Sequence, residues 1–154
     1  MSVFVADEQG DAVALSELHQ LAEMVMREEG YPDDAEVTLL FVDESEMASY
    51  NERFLDRHGA TDVLSFPVEE LIPGVVPDTD PQGPPLMLGD VVIAPAYVRR
   101  QAAEMGVTFE DELALMVTHG ILHLLGYDHT EDVEAERMET RERHLLSIVG
   151  RTRR

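Results

Sequence analysis

The 154-residue chain contains no cysteine and no lysine. The first absence excludes disulfides, thiolate chemistry and cysteine-ligated zinc. The second makes every one of the eleven basic residues an arginine. No apolar run approaches the length of a membrane-spanning helix, and the N-terminus lacks a basic segment followed by an apolar one. A soluble, cytoplasmic protein without membrane contacts is expected.

Positive charge is scarce throughout. Thirty-two acids against eleven bases give a net charge of −21. That balance opposes generic binding to a phosphate backbone. It suits a solubility-driven surface, adaptation to salt, or a cationic partner protein. The imbalance is uneven: residues 1–36 hold ten acids and one arginine, whereas 130–154 hold six of each. A local site for an anion therefore remains open.

What is present is a globular composition, 44% hydrophobic with clear apolar runs. The length fits one domain with a real core, here 1–150, followed by a basic tail at 151–154. Val3–Val5 reads as a short strand and Asp7–Asp11 as a turn. Ser16 can cap a helix running to Glu29, which Gly30 and Pro32 end. Glu36–Val42 is an apolar, β-branched run suited to a buried strand, and Asp43 with Glu46 caps a helix to Leu55. Residues 56–61 read as a loop, Asp62–Phe66 as a strand closed by Pro67. Glu69–Pro85 lacks periodicity and is expected to be a flexible excursion. Gly89–Ala94 is a further strand, and Pro95 opens the helix after it. Thr108 with Asp111 caps a long helix to Leu125, and Thr130 starts a last helix carrying Met138, Leu145, Leu146 and Ile148 on its apolar side. Strands and helices alternate without strict β-α regularity. This favours an α+β fold, a mixed sheet packed against helices. Leu113, Leu115, Met116, Leu122, Leu124 and Leu125 make the 108–125 helix apolar nearly all round, so it should be central and buried.

That helix carries the chemistry. His119-Gly120-Ile121-Leu122-His123-Leu124-Leu125-Gly126-Tyr127-Asp128-His129 holds three of the six histidines. His119 and His123 are one turn apart on one face. Gly126 suits the left-handed residue that ends a helix, after which the chain can return His129 to the other two. Three neutral imidazoles form a tridentate site for zinc with a fourth position open, the catalytic rather than the closed structural pattern. Nickel, cobalt or iron also fit this donor set. The spacing is that of the long zincin form, H-x-x-x-H-x-x-G-x-x-H, but Gly120 stands where a metalloprotease has its glutamate base. Peptidase chemistry is thereby disfavoured. Zinc in such a site is a Lewis acid for a phosphoryl oxygen and lowers the pKa of its water toward roughly 7. Asp128, beside a ligand, can orient a histidine, act as a weak base or cap the turn. His19, His58 and His144 are isolated among polar residues and read as surface groups.

The eleven-residue stretch resembles the signature of the YbeY family of bacterial metal-dependent endoribonucleases. Thr61-Asp62-Val63-Leu64-Ser65-Phe66-Pro67 and Leu88-Gly89-Asp90-Val91-Val92-Ile93 resemble that family too, in matching order and separation, so the similarity runs from about Val37 to His129. The resemblance implies a zinc-dependent single-strand endoribonuclease of ribosomal RNA maturation and quality control. It implies ribosomal RNA and the small ribosomal subunit as partners, and the acidic charge balance adds contacts to cationic ribosomal proteins. It marks Ser65 as a candidate donor to the reacting phosphate and places Asp90 along the site. Many members carry an arginine directly after the aromatic residue upstream of T-D-V-L-S-F; here Phe54 is followed by Leu55, with Arg53 and Arg57 nearby. Two other readings stay open: a different metallohydrolase acting on a small phosphate or amide, and a non-catalytic ribosome assembly factor with structural zinc.

Overall fold

Alternating apolar residues give three of the strands a face that must be covered. In the computed structural model, which describes residues 2–154, β1 (Ser2–Glu8), β2 (Glu36–Val42), β3 (Val63–Pro67) and β4 (Met87–Ile93) form one mixed sheet in the order β1-β2-β4-β3. β1 and β4 run parallel to β2, and β3 lies antiparallel on the far side of β4. Five helices complete the α+β fold: α1 (Leu15–Glu28), α2 (Glu44–Leu55), α3 (Pro95–Met105), α4 (Phe109–Leu124) and α5 (Asp132–Ile148).

Helix α4 is the hub. It packs against α1, α3, α5, β3 and β4, and eleven of its sixteen residues are buried. Val37, Leu39 and Phe41 of β2 and Val91 and Ile93 of β4 join the same core. The opposite sheet face carries a smaller cluster in which Met47 of α2 covers Val42, Leu64 and Val92. Two caps form as the sequence predicts. Asp43 Oδ1 accepts from Glu46 N at 2.8 Å, and Thr108 Oγ1 from Asp111 N at 3.1 Å.

Other boundaries differ, each for a tertiary reason. α1 starts at Leu15 with Ala14 as its uncapped N-cap, so Ser16 lies inside the first turn; the earlier start lets Leu15 pack on the core. β1 continues through Asp7 and Glu8, predicted as turn, because they pair in parallel with Phe41 and Val42. Pro67 lies within β3 rather than after it, opposite Gly89. Glu131, not Thr130, is the N-cap of α5, and the Thr130 hydroxyl turns to Asp128 Oδ2 at 3.4 Å. In the 69–85 excursion Leu71 and Val76 pack on the main core, and Arg137 Nη2 donates to Pro73 O at 3.1 Å. No described helix is long and apolar enough to cross a membrane.

Candidate metal centre and its cleft

His119 and His123 stand one turn apart on α4, ring centroids 4.8 Å from each other. The helix ends at Leu124, and Gly126 takes φ = +100°, a left-handed conformation that reverses the chain. A Cβ on Gly126 would also lie 2.1 Å from Leu71 O, so the excursion loop packs directly against this turn. His129 returns with its ring centroid 4.9 Å from that of His123 and 5.3 Å from that of His119. One ligand nitrogen from each of the three lies within 4.8 Å of the others. Asp128 Oδ1 accepts from the backbone N–H of His129 at 2.7 Å. Asp128 thus holds the backbone of His129 rather than any imidazole.

The imidazole has a different partner, which sequence reasoning missed. Glu142 of α5 places Oε2 2.6 Å from His119 Nδ1. A carboxylate accepts, so His119 donates from Nδ1 and leaves Nε2 free for a ligand role. The second oxygen of Glu142 accepts from Arg153 Nε at 2.8 Å. Alongside, Arg154 Nε donates to both oxygens of Glu112 at 2.9 Å, and Gln101 Nε2 donates to Glu112 at 2.8 Å and to Asp62 at 3.1 Å. The basic tail therefore folds back onto two buried carboxylates. The signal in the sequence is faint but physical: Glu142 sits on the apolar stripe of α5, four residues after Met138 and three before Leu145.

Burial shapes the electrostatics. Desolvation alone would raise the pKa of Glu142, but the hydrogen bonds from His119 and Arg153 outweigh it and hold the carboxyl below its ordinary value. His123 is pushed down to about 4, first by burial and then by the neighbouring His119 and His129. It is therefore neutral at pH 7, the form that can bind a metal.

The three histidines line a cleft of about 800 Å³ that also takes in Ser65, Asp128, Leu55 and Arg57. Ser65 lies at its wall with Oγ donating to Gly120 O at 2.9 Å, which fastens β3 to α4. β3 is the outer strand of the sheet, so one of its edges stays unpaired. Asp62 O accepts from Ala94 N, and Val68 N donates to Leu88 O, so the even-numbered residues bond toward β4. The N–H of Ser65 consequently points to the free edge. Gly120 shows why no side chain follows the first histidine. A Cβ there would be 2.4 Å from Cγ1 of Val91 and 3.3 Å from Cγ2 of Val63.

Other expectations are corrected. Asp90 is exposed on β4 and does not line the cleft. His19 is half-buried, its Nε2 3.0 Å from Val3 O and its Nδ1 2.8 Å from Glu23, so it ties α1 to β1. His58 and His144 are exposed as predicted. Arg53 lies over the rings of Tyr50 and Phe54.

Three converging imidazoles, one already committed through Nδ1 to a buried carboxylate and one held deprotonated by burial, are a donor set that fits a divalent metal with open coordination. A family model described as Endoribonuclease YbeY matches residues 4–150. The chain is 45% identical over 146 residues to the endoribonuclease YbeY of Mycolicibacterium gilvum, covering 95% of this chain and 82% of that one. It is 44% identical to its counterpart from Acidothermus cellulolyticus, covering 100% and 94% of the two chains. Among solved structures, it is similar to the solution structure of TM1509 from Thermotoga maritima, with a TM-score of 0.62, 28% identity and coverage of 96% and 91%.

Proposed function

Since the chain belongs to the YbeY endoribonuclease family, we propose that it is a zinc-dependent single-strand endoribonuclease of ribosomal RNA maturation and quality control, with its metal held by His119, His123 and His129. It is a metal-dependent hydrolase acting on RNA. The observation that carries the site assignment is the convergence of three imidazole nitrogens within 4.8 Å on the wall of an open cleft.

Zinc held by His119, His123 and His129 would supply Lewis acidity toward a phosphoryl oxygen and lower the pKa of its bound water toward roughly 7. The chain's own groups do the rest. Glu142 fixes the ring orientation and tautomer of His119. Asp128 sets the backbone of His129 and serves as a positioning residue, its two oxygens already turned to His129 N–H and the Thr130 hydroxyl. The Ser65 hydroxyl hydrogen is directed at Gly120 O, so the donor that Ser65 offers to a phosphoryl oxygen is its backbone N–H at the free edge of β3. Arg57, exposed on the rim, offers positive charge to the substrate backbone.

The small ribosomal subunit is the proposed setting, in the cytoplasm. A surface of net charge −21 supports contacts with cationic ribosomal proteins, which would bring the cleft to RNA that the surface would otherwise repel. Metal content and cleavage of single-stranded ribosomal RNA, measured in parallel on the protein and on His123→Ala, test this reading. The expected result is one equivalent of zinc and metal-dependent cleavage, both lost in the variant. Bound metal without cleavage would move the assignment to a different substrate or to assembly, and no metal after reconstitution would overturn the site.

A further inference from the structure

The C-terminal end of α2 carries a group of rings that the metal chemistry does not use. Tyr50 and Phe54 stack with centroids 6.0 Å apart, and Phe66 of β3 meets Phe54 edge-on at 5.4 Å. Phe54 is 58% exposed, so more than half of this backed residue is open to solvent. Arg53 lies 5.4 Å from the Tyr50 centroid and 5.3 Å from that of Phe54. Among the described residues Arg53 and Arg57 form no ion pair, whereas Arg100, Arg141, Arg143, Arg151, Arg153 and Arg154 all do. Glu52 and Asp56 share the segment, but Glu52 is turned to His58 at 3.4 Å.

This group adjoins the cleft at the C-terminal end of α2, where Leu55 and Arg57, on either side of the C-cap, line it; Phe66 packs on the α2 side of the sheet, whereas Ser65 on the same strand faces α4 and the cleft. A strand with a phosphate at the histidines that leaves the cleft past Leu55 and Arg57 would carry an unpaired base toward Phe54. The charge of the protein decides how such a strand is held. With a net charge of −21, neutralised phosphates cannot supply most of the affinity, whereas stacking on an aromatic face needs no net charge.

We propose that Phe54, backed by Tyr50 and Phe66 and flanked by Arg53, is a stacking site for an unpaired base of the single-stranded RNA cut in the cleft. The proposal rests on the endoribonuclease reading and adds to it a means of selecting single strands, since a base inside a duplex has both faces stacked on its neighbours.

The test uses the zinc-loaded protein, a fluorescein-labelled single-stranded RNA, and the variants Phe54→Ala, Phe54→Leu and Phe54→Trp. For Ala and Leu, KM should rise about 5- to 100-fold with kcat within about twofold, because one base–aromatic stack is lost. Leu keeps apolar bulk, so a loss shared by both variants reports the ring rather than packing. Trp should match or better the native affinity. The chain has no other tryptophan, so quenching of Phe54→Trp fluorescence by RNA reads stacking without any cleavage. With two arginines as the phosphate contacts, the log–log salt slope should be no steeper than roughly −1.4. An unchanged KM in Phe54→Ala with no quenching in Phe54→Trp, while the native protein cleaves, overturns the stacking site and leaves the enzyme reading intact. A native protein that neither binds nor cleaves RNA overturns both.

Discussion

Nδ1 of His119 lies 2.6 Å from Oε2 of Glu142, a carboxylate 23 positions further along the chain whose side chain is only 1% exposed. Outer partners of this kind orient metal-ligating imidazoles and raise their basicity. Glu142→Gln should therefore lower zinc affinity about 10- to 100-fold. Competition against a chromophoric chelator measures this without reference to catalysis, and unchanged affinity would show that Glu142 is only a packing residue.

Arg153 should matter for stability more than its place in a basic tail suggests. Its side chain is 14% exposed and its Nε–H satisfies the second oxygen of Glu142. In Arg153→Met a buried carboxylate loses its cation, a change that costs about 3–5 kcal/mol. Urea denaturation of the metal-free protein reads the difference.

The metal-free protein should lose stability on mild acidification. Folding lowers the pKa of His123 from 6.5 to about 4. Between these values the unfolded chain holds a proton that the folded chain does not, so stability rises with pH across the window. The contribution is complete above about pH 6.5, falls as the pH drops toward about 4, and is absent below that. A series of urea midpoints across this range, compared with His123→Asn, isolates the effect: the variant should show a shallower pH dependence.

Gly120→Ala should cost about 1–3 kcal/mol by overpacking against Val91, which is short, branched and unable to swing aside. Gly120→Glu should cost more and yield no peptidase activity. Thermal unfolding together with a casein assay checks both statements.

Ser65→Ala removes the hydroxyl that joins β3 to the α4 backbone at Gly120. A loss of about 0.5–1.5 kcal/mol is expected, the usual value of one such bond. RNA cleavage should persist, since the backbone N–H remains. Loss of cleavage at unchanged stability would show that the hydroxyl itself acts on substrate.

The convergence of the three histidines was legible because it is local: all three lie within eleven residues, with a glycine where the helix has to end. Helix α4 was legible because its composition is apolar nearly all round, and eleven of its sixteen residues are buried. Glu142 was not, because its partner is chosen by the docking of α5, and an acid on an apolar stripe looks like any helix surface charge until that docking is known. The same holds for Arg153 and Arg154, whose buried carboxylates lie on α5 and α4. The extension of β1 into Asp7 and Glu8 is set by a parallel neighbour, against the turn preference of the residues themselves. Tyr50, Phe54 and Phe66 come from two elements, and only the fold brings their rings together.

The close approach at Gly120 also has an evolutionary side. Glycine and glutamate codons lie a single base change apart, so mutation keeps offering this scaffold the general base of a peptidase. What rejects the offer is Val91, 2.4 Å from where the first side-chain carbon would sit. To accept a glutamate, the lineage would first have to move a buried helix away from the valines of its sheet, so the wall between hydrolysing phosphodiesters and hydrolysing peptides is built from helix–sheet packing and not from the genetic code.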